Sequence, residues 1–316
     1  MDNGTICSAF WKHTNLRPGD RIYPCCRFKE SIADFKGNVE EVLHISEYRE
    51  LRRASSAGEK IAGCEKCYYE ETIGHRSLRQ DFNEKYDVND VDLEYLEIGL
   101  DNLCNLACIG CNSEFSTKWI QKEIDTFGYA MNKYMAVRDI NRLPQSVNKI
   151  LFLGGEPLLT KRFIPMLQSL DNSRDVEIIF NTNATCIPDE ETLRLFKTFK
   201  THFIVSVDGV GEVANLVREG TDWQKVLDFI TWVKINNFTF EINTVLHKAN
   251  WQNIQQIAKF VEDQNVEWYV NVLTHPDHLN INRLDNKDKD EFVNLINNLD
   301  LPNHQFIINH LFQSMS

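Results

Sequence analysis

The chain has 316 residues, 42% of them hydrophobic and 25% charged, with a formal net charge of −12. That composition supports a globular fold with a sizeable core, and no run approaches the roughly 18 uninterrupted apolar residues of a membrane span. An acidic surface disfavours a nucleic-acid partner, because phosphate contacts need Lys and Arg.

The first residues, Met1-Asp2-Asn3-Gly4, show no basic stretch leading into an apolar one, so no secretion signal is read and a cytoplasmic location is expected. In a reducing compartment, clustered cysteines more often bind metal or do redox chemistry than pair as disulfides. The chain has nine of them. Cys7, Cys25, Cys26, Cys64 and Cys67 precede residue 70, Cys104, Cys108 and Cys111 share one loop, and Cys186 stands alone as an ordinary buried thiol.

Residues 1–90 alternate short apolar stretches with turn residues, and Pro18-Gly19-Asp20 between two such runs predicts a hairpin. Residues 39–53 have helical spacing, with Val42, Leu43, Ile45, Tyr48 and Leu51 available for one face. Residues 81–92 are charged with little periodicity, which predicts a boundary near residue 90. From residue 94 the pattern is strand, loop, helix, repeated. Strands are predicted at 95–100, 149–153, 177–181, 203–207, 239–246 and 268–273. Helices are predicted near 113–126, 161–170, 190–198, 223–236 and 251–264. Such spacing implies right-handed crossovers and a parallel sheet, with too few units for an eightfold barrel. The expected fold is α/β: a partial (β/α)6 TIM-like barrel over 91–280. A small cysteine-rich domain over 1–90 precedes it, and a tail over 281–316 with one or two helices follows.

In parallel β/α folds chemistry gathers at the carboxyl ends of strands. The first strand ends in Cys104-Asn105-Leu106-Ala107-Cys108-Ile109-Gly110-Cys111. Three thiolates at this spacing can bind three corners of a 4Fe–4S cube and leave one iron without a protein ligand. Zinc or a set of buried thiols is the other reading. The second strand ends in Gly154-Gly155-Glu156-Pro157. Its glycines let a ligand approach the backbone and Glu156 can receive an ammonium group. Read plainly, it is a tight turn opening a helix, with Pro157 at the first position. The third ends in Asn181-Thr182-Asn183. The fourth ends in Ser206-Val207-Asp208-Gly209, where Ser206 and Asp208 share a strand face and suit two ribose hydroxyls, or else form a cap. Asn243 interrupts an otherwise apolar fifth strand.

In that order, and with Arg218 in Leu216-Val217-Arg218-Glu219-Gly220, these pieces resemble the radical S-adenosylmethionine (SAM) superfamily over about residues 94–275. The resemblance implies a 4Fe–4S cluster on Cys104, Cys108 and Cys111 whose open iron chelates SAM. An electron from a donor such as flavodoxin or ferredoxin would release a 5′-deoxyadenosyl radical, which takes hydrogen from an unactivated carbon. Carried over, Gly154, Gly155 and Glu156 meet the methionine ammonium, Ser206 and Asp208 meet the ribose, Asn183 and Asn243 line the SAM site, and Arg218 faces its carboxylate. One position departs: the residue before the third cysteine is usually bulky, and here it is Gly110. Ile109 or a residue from elsewhere is expected to fill the space.

The set Cys7, Cys25, Cys64 and Cys67 resembles the auxiliary-cluster domains called SPASM and twitch, although those usually follow the barrel. It implies a second, fully ligated 4Fe–4S cluster; structural zinc is the other reading. Cys25 and Cys26 point in different directions on an extended strand, and the resemblance favours Cys25. The auxiliary module makes a peptide, protein or small molecule the expected substrate. A nucleotide or sugar substrate is the alternative, and a non-catalytic iron–sulfur or zinc electron-transfer module is the alternative of a different class.

Overall fold

Nine strands carry the architecture of the computed structural model, which describes residues 4–171, 173–299, 301 and 303–312. They are β1 (His13–Arg17), β2 (Arg21–Tyr23), β3 (Ala33–Asp34), β4 (Tyr95–Gly99), β5 (Lys149–Leu153), β6 (Glu177–Thr182), β7 (Lys200–Ser206), β8 (Thr239–Leu246) and β9 (Trp268–Val272). The sheet order is β3-β2-β1-β4-β5-β6-β7-β8-β9. β1 runs parallel to β4, β4 to β5, β7 to β8 and β8 to β9, while β1, β2 and β3 form an antiparallel edge. The chain is a mixed α/β protein with a mostly parallel sheet. By its internal contacts it divides into two units, one of residues 1–102, 134–179 and 189–201, the other of 103–133, 180–188 and 202–316.

In the first unit the hairpin turns at Pro18-Gly19-Asp20. Gly19 and Asp20 both take positive φ, +83° and +60°, conformations that Gly and Asp tolerate better than most residues. β1 then docks beside β4 with His13 opposite Tyr95 and Leu16 opposite Ile98. The first ninety residues therefore share a sheet with β4 and β5, and the boundary expected near residue 90 falls inside this unit. The charged stretch read over residues 81–92 begins inside a helix, Leu78–Lys85, that its sequence conceals. A capping box between Ser77 and Gln80 starts it, but it buries only Arg79 and Phe82, so it has almost no apolar period. The helix expected over 39–53 divides into a 3-10 turn, Val42–His44, and an α-helix, Ser46–Ser56.

In the second unit β8 alternates cleanly: Phe240, Ile242, Thr244 and Leu246 are buried, while Glu241, Asn243 and Val245 keep partial exposure. On the buried side, Phe203 of β7 meets Phe229, Trp232 and Phe238 edge-on at 5.4–6.0 Å between ring centroids. The C-terminal helices Asn286–Ile296 and His304–Phe312 pack onto the same unit. Phe292, Ile296, Ile307 and Leu311 join Leu246, Ile254 and Val270 in one core cluster. Among the described residues no helix is long and apolar enough to cross a membrane.

Candidate functional site

The cysteine loop follows β4 and is stitched down by its neighbours in the second unit. Ser116 caps the helix Thr117–Phe127 by accepting from the amides of Lys118 and Trp119, and its hydroxyl donates to the Leu106 carbonyl at 2.6 Å. Thr117 Oγ1 bonds both backbone groups of Cys104, and Trp119 Nε1 donates to the Cys108 carbonyl at 2.8 Å. On the other side the amides of Ala107 and Ile109 donate to the carbonyls of Glu219 and Val217. Gly220 is required there: its φ is +96°, and a Cβ would stand 3.2 Å from the Asn105 carbonyl oxygen.

That bracing delivers Arg218 to the loop. Its Nη1 donates to Asp208 Oδ2 at 2.6 Å, and its side chain is 14% exposed. Burial would lower its pKa, but Cys108, Asp208 and Cys104 outweigh burial and hold the guanidinium above its ordinary value. Arg218 Nε is buried without a partner. Asp208 is occupied in turn, since its Oδ1 accepts from the Val245 amide at 2.7 Å. Asn183 lies against the loop as well: its Nδ2 donates to Asn105 Oδ1 at 3.0 Å and stands 3.9 Å from Cys104 Sγ. Asp208, Arg218 and Asn183 thus gather at the three-cysteine loop.

Ser206 and Asn243 sit opposite each other in the β7–β8 register. They belong to a polar row across neighbouring strands, in which Ser206 donates to Asn181 Oδ1 at 3.3 Å and Asn271 Nδ2 to Asn243 Oδ1 at 2.8 Å. Asn181 belongs to the strand end Asn181-Thr182-Asn183 already read from the sequence, whereas Asn271 was not singled out there. The gap at Gly110 is filled from β9's end: a Cβ there would lie 3.1 Å from Leu273 Cδ2. No local sequence signal reaches across that separation.

Gly154, Gly155 and Glu156 belong to the first unit. Gly154 has φ +133°, and a Cβ would come within 2.5 Å of the Asp101 carbonyl oxygen, which accepts from the Gly155 amide at 2.9 Å. Glu156 is buried and caps the 3-10 turn Pro157–Leu159 by accepting from the Leu158 amide at 3.1 Å.

Also in the first unit, Cys7, Cys25, Cys64 and Cys67 lie within one another's electrostatic reach. Burial pushes the Cys7 thiol well up, and Cys25, Cys64 and Cys67 add to the rise. Cys25 is pushed up to about 11 by burial, with Glu97 and Cys67 contributing, and Cys64 to about 12 by burial, then Cys25 and Cys67. Cys26 is exposed at its surface, yet burial, then Glu97 and Cys25, push its thiol up, so it lies close to the same set. Arg27 Nη1 reaches Cys67 Sγ at 3.9 Å. His13 is structural, bonding through Nδ1 to the Pro24 carbonyl at 2.9 Å.

The donor chemistry of the central loop suits an iron–sulfur cube. Cys111 is pushed up to about 12 by burial first and then by Cys108, so the bare thiols resist ionising together. Metal ions invert that preference by taking thiolates outright. Among the described residues no three His, Cys, Asp or Glu side chains converge on one point as a single ion requires. A cube does not require it, since each thiolate binds a different iron.

A parallel strand delivering three thiols into a loop braced by a buried arginine is the framework of a cluster-binding α/β protein. The radical SAM superfamily model matches residues 101–261, and the chain belongs to that superfamily of enzymes. Such a fold implies a 4Fe–4S cluster and SAM. Among curated relatives, molybdenum cofactor biosynthesis protein 1 of Dictyostelium discoideum is 28% identical over 183 residues, covering 55% of this chain and 27% of the relative. GTP 3′,8-cyclase of Sulfurovum sp. is 27% identical over 180 residues, covering 55% and 53%; that of Listeria welshimeri is 25% identical over 177 residues, covering 55% and 52%. The chain spans about half the length of the cyclases it matches. Among solved structures, native anSMEcpe with bound AdoMet aligns with a TM-score of 0.48 at 20% identity, covering 65% of this chain and 60% of that one. Streptococcus suis SuiB bound to S-adenosylmethionine aligns at 0.44 and 13% identity, covering 78% and 56%.

The cyclases correct one expectation. Their name gives a nucleotide as substrate, where the cysteine module had pointed to a peptide, protein or small molecule. Cysteine spacing reports what holds metal, and the substrate is chosen by side chains that the spacing does not describe.

Proposed function

We propose that this chain is a radical SAM enzyme acting on a nucleotide. The similarity to GTP 3′,8-cyclases over about half the chain supports the substrate class. A 4Fe–4S cluster on Cys104, Cys108 and Cys111, reduced by a flavodoxin- or ferredoxin-type donor, supplies reductive cleavage of SAM and a 5′-deoxyadenosyl radical that abstracts hydrogen from an unactivated carbon.

The chain's own residues bind and orient. The working end is at the carboxyl termini of the strands. Gly154 and Gly155 present backbone where the methionine end of SAM binds, with Glu156 toward its ammonium. Ser206 and Asn243 line the ribose and substrate side together with the neighbouring amides. Arg218, held by Asp208, offsets the negative charge of the thiolates, and Asn183 fixes the loop beside Cys104. Cys7, Cys25, Cys64 and Cys67 hold a second, fully ligated cluster of the SPASM or twitch kind. Four thiolates fully ligate a cube and leave no vacant position for substrate, which suits electron relay.

The test is anaerobically reconstituted protein with SAM, dithionite and a nucleotide panel that includes GTP. 5′-Deoxyadenosine should form and, with a deuterated nucleotide, should carry the label. Formation no higher than in a Cys104→Ala control overturns the radical chemistry. Abundant 5′-deoxyadenosine that never carries nucleotide label overturns the substrate class.

A further inference from the structure

β8 presents alternate side chains to the half-exposed face of the sheet. Glu241, Asn243 and Val245 lie there, with Asn243 opposite Ser206 of β7. The same period puts His247, the first residue past the end of β8, on that face. It stands one step beyond Val245, whose amide donates to Asp208 Oδ1. His247 belongs to none of the strand-end motifs, and the ring is only 3% exposed.

The following turn fixes the ring. The Ala249 amide donates to His247 Nδ1 at 3.1 Å, and the His247 amide donates to Asn250 Oδ1 at 2.8 Å. Asn250 Nδ2 fastens this turn to the carbonyls of Asp208 at 2.8 Å and Val245 at 2.9 Å. Burial lowers the pKa of His247 against the pull of Asp208, and Arg218 adds to the fall, which keeps the ring neutral at pH 7. With Nδ1 accepting, the proton of a neutral ring sits on Nε2 and makes it a donor.

That donor is unused. Among the described residues Nε2 has no hydrogen-bond partner, yet it is not one of the sealed unpartnered atoms, so the slight exposure of the ring includes it. Arg218 is in a similar condition. Asp208 takes its Nη1, and its Nε is buried without a partner. Two side chains within electrostatic reach of each other therefore hold N–H groups without acceptors. Unanswered buried donors are costly, and neither group has an acceptor left to offer. The guest that satisfies both is an acceptor-only anion. The ammonium and sulfonium of SAM are cations that Arg218 repels, whereas its carboxylate has the required chemistry. A nucleotide phosphate shares it.

We propose that His247 is a further SAM-binding residue, whose Nε2–H donates to the carboxylate alongside Arg218. This rests on SAM as the cofactor and is independent of the substrate that the radical meets.

The experiment is calorimetric titration of the anaerobic, reconstituted protein with SAM and with decarboxylated SAM, without reductant or nucleotide. Two variants separate the halves of the ring. His247→Asn keeps an acceptor where Nδ1 was, so the turn and the melting temperature should persist, but nothing replaces Nε2. It should bind SAM roughly tenfold more weakly, as for loss of one charged hydrogen bond, and bind decarboxylated SAM as the wild type does. His247→Gln carries an amide donor at the reach of Nε2 and loses the turn acceptor. It should melt lower and keep most of the SAM affinity. The reverse order, with Gln the weaker binder of SAM, is the behaviour of a turn cap alone and overturns the proposal. So does an unaltered SAM affinity in the Asn variant, or an equal loss for SAM and decarboxylated SAM. GTP titrated into the same proteins tests the other source: a loss seen only for GTP assigns the donor to a phosphate and overturns the carboxylate. Wild-type protein that binds no SAM rejects the cofactor reading as well, whereas wild-type binding that the Asn variant retains rejects the His247 contact alone.

Discussion

Two cysteine regions differ in how they hold their thiols. The central loop compresses three into eight residues and surrounds them with foreign support: Ser116, Thr117 and Trp119 on one side, the helix end and turn at 217–220 on the other, and a guanidinium within reach. The N-terminal set draws four thiols from sixty residues; burial raises Cys7, Cys25 and Cys64 first and the other thiols add to it, with Arg27 Nη1 3.9 Å from Cys67 Sγ. A three-thiol site leaves one iron without a protein ligand. A four-thiol site closes itself. The difference teaches that an arginine stands beside each set, but Arg218 is tied to Asp208 in a more buried pair, while Arg27 is more exposed and paired with Glu70.

The sharpest way to break this comparison is to count iron. Cys64→Ala should reduce a reconstituted chain from about eight irons to about four, measured by iron and sulfide assay. Cys26→Ser should leave the full complement, because the proposed ligand is its neighbour Cys25. Equal losses from both variants would mean that the four-thiol grouping is wrong.

Next in size is the arginine. Arg218→Met leaves Asp208 buried without its cation and should cost about 3 kcal/mol, the order seen when one partner of a buried pair is removed. Denaturant unfolding of the apo-protein reads it. An unchanged midpoint would show the pair to be solvated.

A steric prediction follows at about 2 kcal/mol. Gly110→Phe drives a ring into Leu273, an overpacking penalty. The double variant Gly110→Phe, Leu273→Ala should recover most of the loss, since the smaller residue vacates the space. Additive rather than compensating effects in the double-mutant cycle would deny that the two share one volume.

The smallest effect is the cap. Ser116→Ala removes the acceptor for two helix amides and the donor to Leu106, for about 1 kcal/mol. The loss should appear as a lower melting temperature of the apo-protein, with no change at the four-thiol region.

How far the sequence could be read follows from the same contrast. The six strands from β4 to β9 were legible because each is a short apolar run bounded by turns, and the prediction for residues 239–246 matches β8 residue for residue. The three-cysteine loop was legible because its ligands are neighbours in the chain. Cys25 and Cys26 could not be separated by spacing, because adjacent residues differ only in direction. Leu273 beneath Gly110 and Arg218 beside Cys108 depend on contacts between residues more than a hundred apart. The helix Leu78–Lys85 was hidden because tertiary packing uses only two of its side chains. The substrate class was misjudged because a metal-binding pattern was asked to report on specificity.

The pairing of β1 with β4 has a practical outcome for anyone expressing this protein. Cutting away the first ninety residues would not liberate a tidy catalytic core. It would strip Leu96 and Ile98 of their shelter and leave β4 as a bare ladder of unanswered amides and carbonyls. Such an edge recruits other chains, so the shortened product should emerge as aggregate, however active the severed remainder is on paper.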